Sequence, residues 1–188
     1  GEIASLEALI DAALNDDDAS LAEQLGDHPL GNAPRVAERL QVTAGWERTV
    51  AWVLAPWLKA RLADPGAVRE PLNSLTSGEL PVVSEQAPEA APSRSLGARV
   101  EGAGALSTLL SAIHCVEDPE AAWQMAADLP AGQSVITQDG LWLGRGWARR
   151  LGRDDANADS VLLQRQRRDA LIEEIATLDA TLAEHESA

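Results

Sequence analysis

The stretch VLLQRQRRDALIEEIATLDATLAEHE, residues 161–186, most restricts what this chain can fold into. It contains neither glycine nor proline, and Val161, Leu171, Ile175, Leu178 and Leu182 mark an apolar stripe whose later steps alternate between four and three residues. That spacing predicts a long amphipathic helix opening after Ser160 as N-cap, with a seam narrow enough for a coiled coil. The other end answers it. In EIASLEALIDAALNDDDASLAEQL, Ile3, Leu6, Ile10 and Ala13 repeat the alternation, and Leu21 and Leu25 resume it after the polar NDDDAS. Neither stripe reaches three heptads, so two readings stand: ordinary surface helices, or an antiparallel pair forming the stump of a longer stalk.

Charge separates the ends from the body. Gly1 to Asp27 hold eight acidic residues and no basic one, and Asp169 to Ala188 hold six and none, within a formal net charge of -15. Between Arg145 and Arg168 lie seven arginines, Arg145, Arg149, Arg150, Arg153, Arg165, Arg167 and Arg168, out of 15 Lys and Arg in the chain. Either they solvate a surface and pair with Asp154, Asp155, Asp159 and Asp169, or they form a local basic patch on an acidic molecule.

Between the ends the pattern is α/β in two halves. PRVAERLQV and AGWERTVAWVLAPWL read as helices, KARLAD as a strand, GAVREPLNSL as a short helix and ELPVVSE as a strand. Gln86 to Ser95, with Pro88 and Pro92, marks an internal boundary. Then GALSTLL reads as helix and SAIHCVE as strand. Asp118 caps a helix with Pro119 at its first position, and GQSVITQDG runs as a strand into a turn from which LWLG returns. The expected divisions are an N-terminal arm 1–27, a first lobe 28–85, a linker 86–95, a second lobe 96–158 and a C-terminal arm 159–188.

Several chemistries are excluded by what is missing. There is no G-x-x-x-x-G-K-[ST] phosphate loop and no G-x-S-x-G elbow, and His28, His114 and His185 have no paired metal spacing. Cys115, the single cysteine, cannot pair within the chain, and in SAIHCVED it reads as a buried, inert thiol. His114 and Cys115 alternate across a strand and so cannot form a dyad. The Asp16 to Asp18 run reads as an acidic helix interruption rather than a cation site. No cofactor and no metal are expected. No apolar run is long enough to span a bilayer, so a cytoplasmic protein is the expectation. The one methionine is Met125, which reads as a processed chain or a piece of a longer one.

What remains is DGLWLGRGWARRLGRDD, Asp139 to Asp155, with four glycines, two tryptophans and four arginines. Taken with RVAERLQVTAGWERTVAWVLAPWLKARLAD, with LLSAIHCVEDPEAAWQMAADLPAGQSVITQDGLWLG and with the returning LLQRQRRDALIEEIATLDATL, it resembles the hinge domain of SMC (structural maintenance of chromosomes) proteins of the bacterial type. The likeness covers about Leu30 to Leu182. It implies two pseudo-symmetric α/β lobes with small mixed sheets, flanked by antiparallel coiled-coil helices, that pair with a second copy into a two-fold ring. It also implies a homodimerisation module without catalytic activity, acting in chromosome condensation and segregation and nucleoid-associated, with accessory subunits bound elsewhere on a longer chain.

On that resemblance Gly140, Gly144 and Gly146 would let two backbones approach across the dimer interface, and Trp142 and Trp147 would supply its apolar area. The family's terminal glycine pair is replaced around Ala148 and Arg149. The competing reading puts both tryptophans in the core of the lobe and makes the glycines hairpin punctuation. Arg145, Arg149, Arg150, Arg153, Arg165 and Arg168 would form a DNA-contacting patch where sheet and arm meet, weak and strongly salt-dependent against the overall negative charge. Nucleic-acid capture through that patch is thus the alternative principal function.

Overall fold

A computed structural model describes residues 1–15, 19–87, 89–152 and 161–186. The readings made on Asp16 to Asp18, Pro88, Arg153, Asp154, Asp155, Asp159 and Ser160 lie outside these residues. The two ends form helices α1 (Glu2–Asn15), α2 (Ala19–Leu25) and α8 (Val161–Glu186). Leu6 and Ile10 of the α1 stripe are buried, and α1 packs on α8. The pair is antiparallel: Glu2 meets Arg167 at 3.7 Å, while Ile10, further along α1, shares a core with Leu162, further back along α8. At 1.5 Å per residue the 14 residues of α1 reach about 21 Å and the 26 of α8 about 39 Å. The α8 stripe therefore continues past its partner, and Ile175, Leu178 and Leu182 are exposed.

The first half contributes α3 (Val36–Arg39), β1 (Gln41–Val42), α4 (Glu47–Val53), β2 (Arg61–Leu62), α5 (Arg69–Ser74) and β3 (Val82–Val83). Strands β2 and β3 are parallel, with Arg61 opposite Val82 and Leu62 opposite Val83, and α5 lies in the crossover between them. The second half contributes β4 (Val100–Glu101), α6 (Ser107–Ser111), β5 (Ile113–Val116), α7 (Pro119–Ala126), β6 (Ser134–Thr137), β7 (Leu141–Gly144) and β8 (Trp147–Arg150). Its sheet has the order β5-β6-β7-β8: β5 and β6 are parallel around α7, and the remaining pairs are antiparallel. Each half is thus built on a parallel strand–helix–strand unit, as the pseudo-symmetry of two lobes implies. Asp118 caps α7 as read, its carboxylate accepting from Ala121 N at 2.8 Å.

Three strands were not legible in the chain. Gln41–Val42 is the end of PRVAERLQV, where a helix is expected, but α3 stops at Arg39 and the chain turns into a strand. Val100–Glu101 pairs antiparallel with Gln41–Val42 across the linker, and Trp147–Arg150 adds an outer strand after LWLG. The β1–β4 ladder joins the halves, and one core runs beneath both, from Val36, Leu40, Val50 and Leu54 to Leu96, Leu110, Ile113 and Ile136. A second core lies under α7, where Ala122, Ala126 and Leu129 meet Val135, Leu141 and Leu143. Alternation along β7 therefore sends Leu141 and Leu143 to the α7 side and Trp142 to the main core.

Candidate dimerisation surface

The site grows out of the turn after β6. Thr137 donates its hydroxyl to Asp139 and accepts Leu141 N at 3.0 Å, while Gly140 N donates to Thr137 O at 3.1 Å. Gly140 turns the chain at φ +101°, and an added Cβ would stand 2.9 Å from Leu151 Cβ. The turn is held from outside by Arg150, whose guanidinium lies 3.2 Å from the Asp139 carboxylate. Strand β7 then carries Trp142 inward, its indole N–H donating to Ser134 Oγ at 2.9 Å.

Gly146, at φ +82° with open space around it, makes the tight reversal into β8. Gly144 has a different reason. Its strand partner is Trp147, and that indole lies on the spot where a Gly144 side chain would be. From there Trp147 meets Trp142 edge-on at 5.4 Å and 83°, and Trp142 meets Trp52 of α4 at 5.7 Å and 73°. Arg149 closes the stack, its guanidinium 5.1 Å from the Trp52 ring and 5.4 Å from Trp142. Each of the three glycines thus has a use inside this chain. Of the two readings of the tryptophans, Trp142 packs against the core, whereas Trp147 remains 43% exposed.

All four residues of β8 are exposed, and β8 is the sheet's outer strand. The opposite edge is partly covered: Ser95 bridges His114, and Cys115 N donates to Arg94 O at 2.8 Å. Beside the β7–β8 hairpin opens a groove of about 430 Å³ lined chiefly by Val53, Leu109, Ile113, Ala131, Trp142 and Trp147. Leu109 and Trp147 are its exposed apolar rim.

The arginines do not form one surface. Arg145, Arg149 and Arg150 are exposed on the hairpin. Arg165 is not, which corrects its place in the patch: its side chain is 3% exposed, and its guanidinium donates to Ala37 O because the Leu162–Arg165 face of α8 turns into the protein. Burial pushes its pKa below the ordinary value, and Asp169 opposes that. Arg168 is bound to the adjoining Asp169 carboxylate at 3.0 Å. Burial also raises the Cys115 thiol pKa, with Arg99 opposing. Among the described residues no group of His, Cys, Asp and Glu could hold a metal ion, and no helix is long and apolar enough to cross a membrane. The sequence reading missed Trp52 and the β8 edge, and only the Gly-Arg-Gly-Trp turn signal pointed toward the latter.

Two small α/β lobes sharing a core, packed on an antiparallel helix pair, with β8 as the outermost strand of the sheet among the described residues, define a hinge-type module. No protein-family model matches the chain. It is 38% identical over 152 residues to the chromosome partition protein Smc of Xanthomonas oryzae pv. oryzae, covering 79% of this chain and 13% of that protein. The corresponding protein of Coxiella burnetii is 32% identical over 167 residues, 87% of this chain and 14% of its own length. The chain therefore spans about an eighth to a seventh of these relatives. Its fold matches the SMC hinge domain of Geobacillus stearothermophilus, solved as an asymmetric dimer, at a TM-score of 0.65 and 19% identity over 97% of this chain and 91% of that one. The Pyrococcus furiosus Smc hinge with an extended coiled coil aligns at a TM-score of 0.55 and 17% identity, over 99% and 76%. The chain belongs to the SMC family and is a hinge domain flanked by helices.

Proposed function

We propose that this hinge is a homodimerisation module that joins two SMC chains in a chromosome partition complex. The observation that carries the reading is the β8 edge: four exposed residues on an outer strand, with Trp147 standing 43% exposed over an apolar groove. An open edge supplies main-chain hydrogen bonds to a second copy, and a half-exposed tryptophan is a residue type that concentrates binding energy. A two-fold arrangement uses the same surface on both partners. On this reading the module does no chemistry and needs no cofactor, and accessory subunits bind other parts of the longer chain. It works on the nucleoid, in the cytoplasm. On this reading arms, lobes and linker divide near 27, 85, 95 and 158, with α2 packed on the first lobe through Leu25 against Leu30, Val68 and Leu80.

The test is light scattering on variants. Trp147→Glu should yield monomers at concentrations where the parent is dimeric, while reversing Arg69, exposed on α5 away from β8, to Glu should leave the dimer. The reverse result would refute the assignment.

A second reading, nucleic-acid contact, is favoured by three exposed arginines on one hairpin, although Arg149 already lies against Trp52 and Trp142 and Arg150 against Asp139, on opposite faces of the strand. Three arginines neutralise phosphates without reading bases, so this contact is secondary, weak and salt-sensitive.

A further inference from the structure

Helix α8 follows the second lobe in the chain, yet its polar side chains are fastened to the first. Arg165 donates to the carbonyl of Ala37 in α3, 128 residues away, and Gln166 Nε2 donates to the carbonyl of Val42 in β1 at 3.1 Å, 124 residues away. Leu162, one turn back, is buried in the main core, so the tie is clamped on its inner side. Val42 is also the residue registered against Val100 in the β1–β4 ladder, and the next amide, Thr43 N, donates to Arg99 O at 2.8 Å. One two-residue strand therefore receives the arm on one side and the second lobe on the other.

The tie is imperfectly satisfied. Arg165 Nη2 and Gln166 Oε1 are shielded from solvent and have no hydrogen-bond partner among the described residues. The Asp169 carboxylate stands 3.8 Å from Arg165 Nε. A buried guanidinium adds little stability over an apolar side chain of the same volume, so what it supplies is direction. Its unmet polar atoms gain water when the contact opens, which lowers the cost of opening it.

We propose that Arg165 and Gln166 form a latch that fixes the angle of the C-terminal arm to the first lobe and passes any tilt of that arm, through β1, to the ladder joining the lobes. They are positioning residues, and their role does not depend on the dimer interface.

Amide hydrogen exchange on the whole 188-residue chain tests this. In Arg165→Met the Thr43 amide should exchange about tenfold faster, while amides of Val135 and Ile136 at the centre of the four-stranded sheet change less than about twofold. Arg165→Lys should restore part of the protection, because an ammonium can still donate to a carbonyl. In parallel, spin labels at position 178 on α8 and position 70 on α5, in a Cys115→Ala background, should give a broader distance distribution in Arg165→Met than in the parent. Gln166→Leu serves as the milder variant should Arg165→Met fold poorly, and should speed Thr43 selectively. An unchanged Thr43 amide with an unchanged distance distribution overturns the proposal, as does an equal rise across β6, which would mean general destabilisation.

Discussion

Replacing Gly144 with Ala separates the packing role of this glycine from backbone effects. Gly144 has no positive φ, so alanine meets no backbone penalty there. The added methyl would fall inside the Trp147 indole, which must swing away from Trp142. Losing that edge-on contact forfeits about 0.5–1.5 kcal/mol. Re-exposing about 40 Å² of indole and its bed adds about 1 kcal/mol at 25 cal/mol per Å². Against this, alanine in place of glycine in a strand returns about 0.5–1 kcal/mol of chain entropy. The net is a loss of about 0.5–2 kcal/mol, or a Tm lowered by about 1–8 °C for a chain of this size. In a Trp147→Ala background the obstruction is gone, and the same Gly144→Ala change should stabilise by about 0.5–1 kcal/mol. Urea unfolding followed by circular dichroism, at one protein concentration, measures all four proteins. Equal effects of Gly144→Ala in both backgrounds would refute the account of why glycine stands at 144.

Asp118→Ala removes the side-chain cap of α7 and should lower stability by about 1 kcal/mol in the same assay, with little effect on dimer mass. Cys115 should react with iodoacetamide more slowly than a free thiol at every pH until denaturant is added, because burial raises its pKa. The sign of the linked effect follows: the folded state holds that proton more tightly, so the Cys115 contribution to stability is constant below the unfolded thiol pKa and declines as pH rises past it. If the exposed hairpin arginines contact DNA, fluorescence anisotropy should show binding that weakens with salt at a log–log slope of about -2 to -3, and Arg145, Arg149 and Arg150 changed together to Glu should abolish it. Binding that survives this change would place the contact elsewhere.

How much of this could be read from the chain depends on where each residue's partners lie. The α1 and α8 stripes and the Asp118-Pro119 helix start are written in local spacing, and the strands at 61–62, 82–83, 113–116 and 134–137 follow from short apolar runs between breakers. Strand β4 is two residues long and exists because β1, about sixty positions earlier, pairs with it. No local pattern carries that information. Strand β8 reads WARR, a polar edge whose pairing with β7 is set by the Gly146 turn rather than by alternation. Arg165 counts as charge in the sequence, while its three-residue spacing from Leu162 puts it on the buried face of α8. The resemblance gives the hairpin glycines to contact between two copies, with hairpin punctuation as the competing reading, while Gly144 is accounted for by the Trp147 indole of the neighbouring strand.

The central claim is that this hinge pairs with itself. Sedimentation equilibrium of the chain over a dilution series from tens of micromolar to tens of nanomolar addresses it most directly. The account predicts a mass of twice 19.9 kDa that persists to the low end of the series. A mass of 19.9 kDa at every concentration would contradict it.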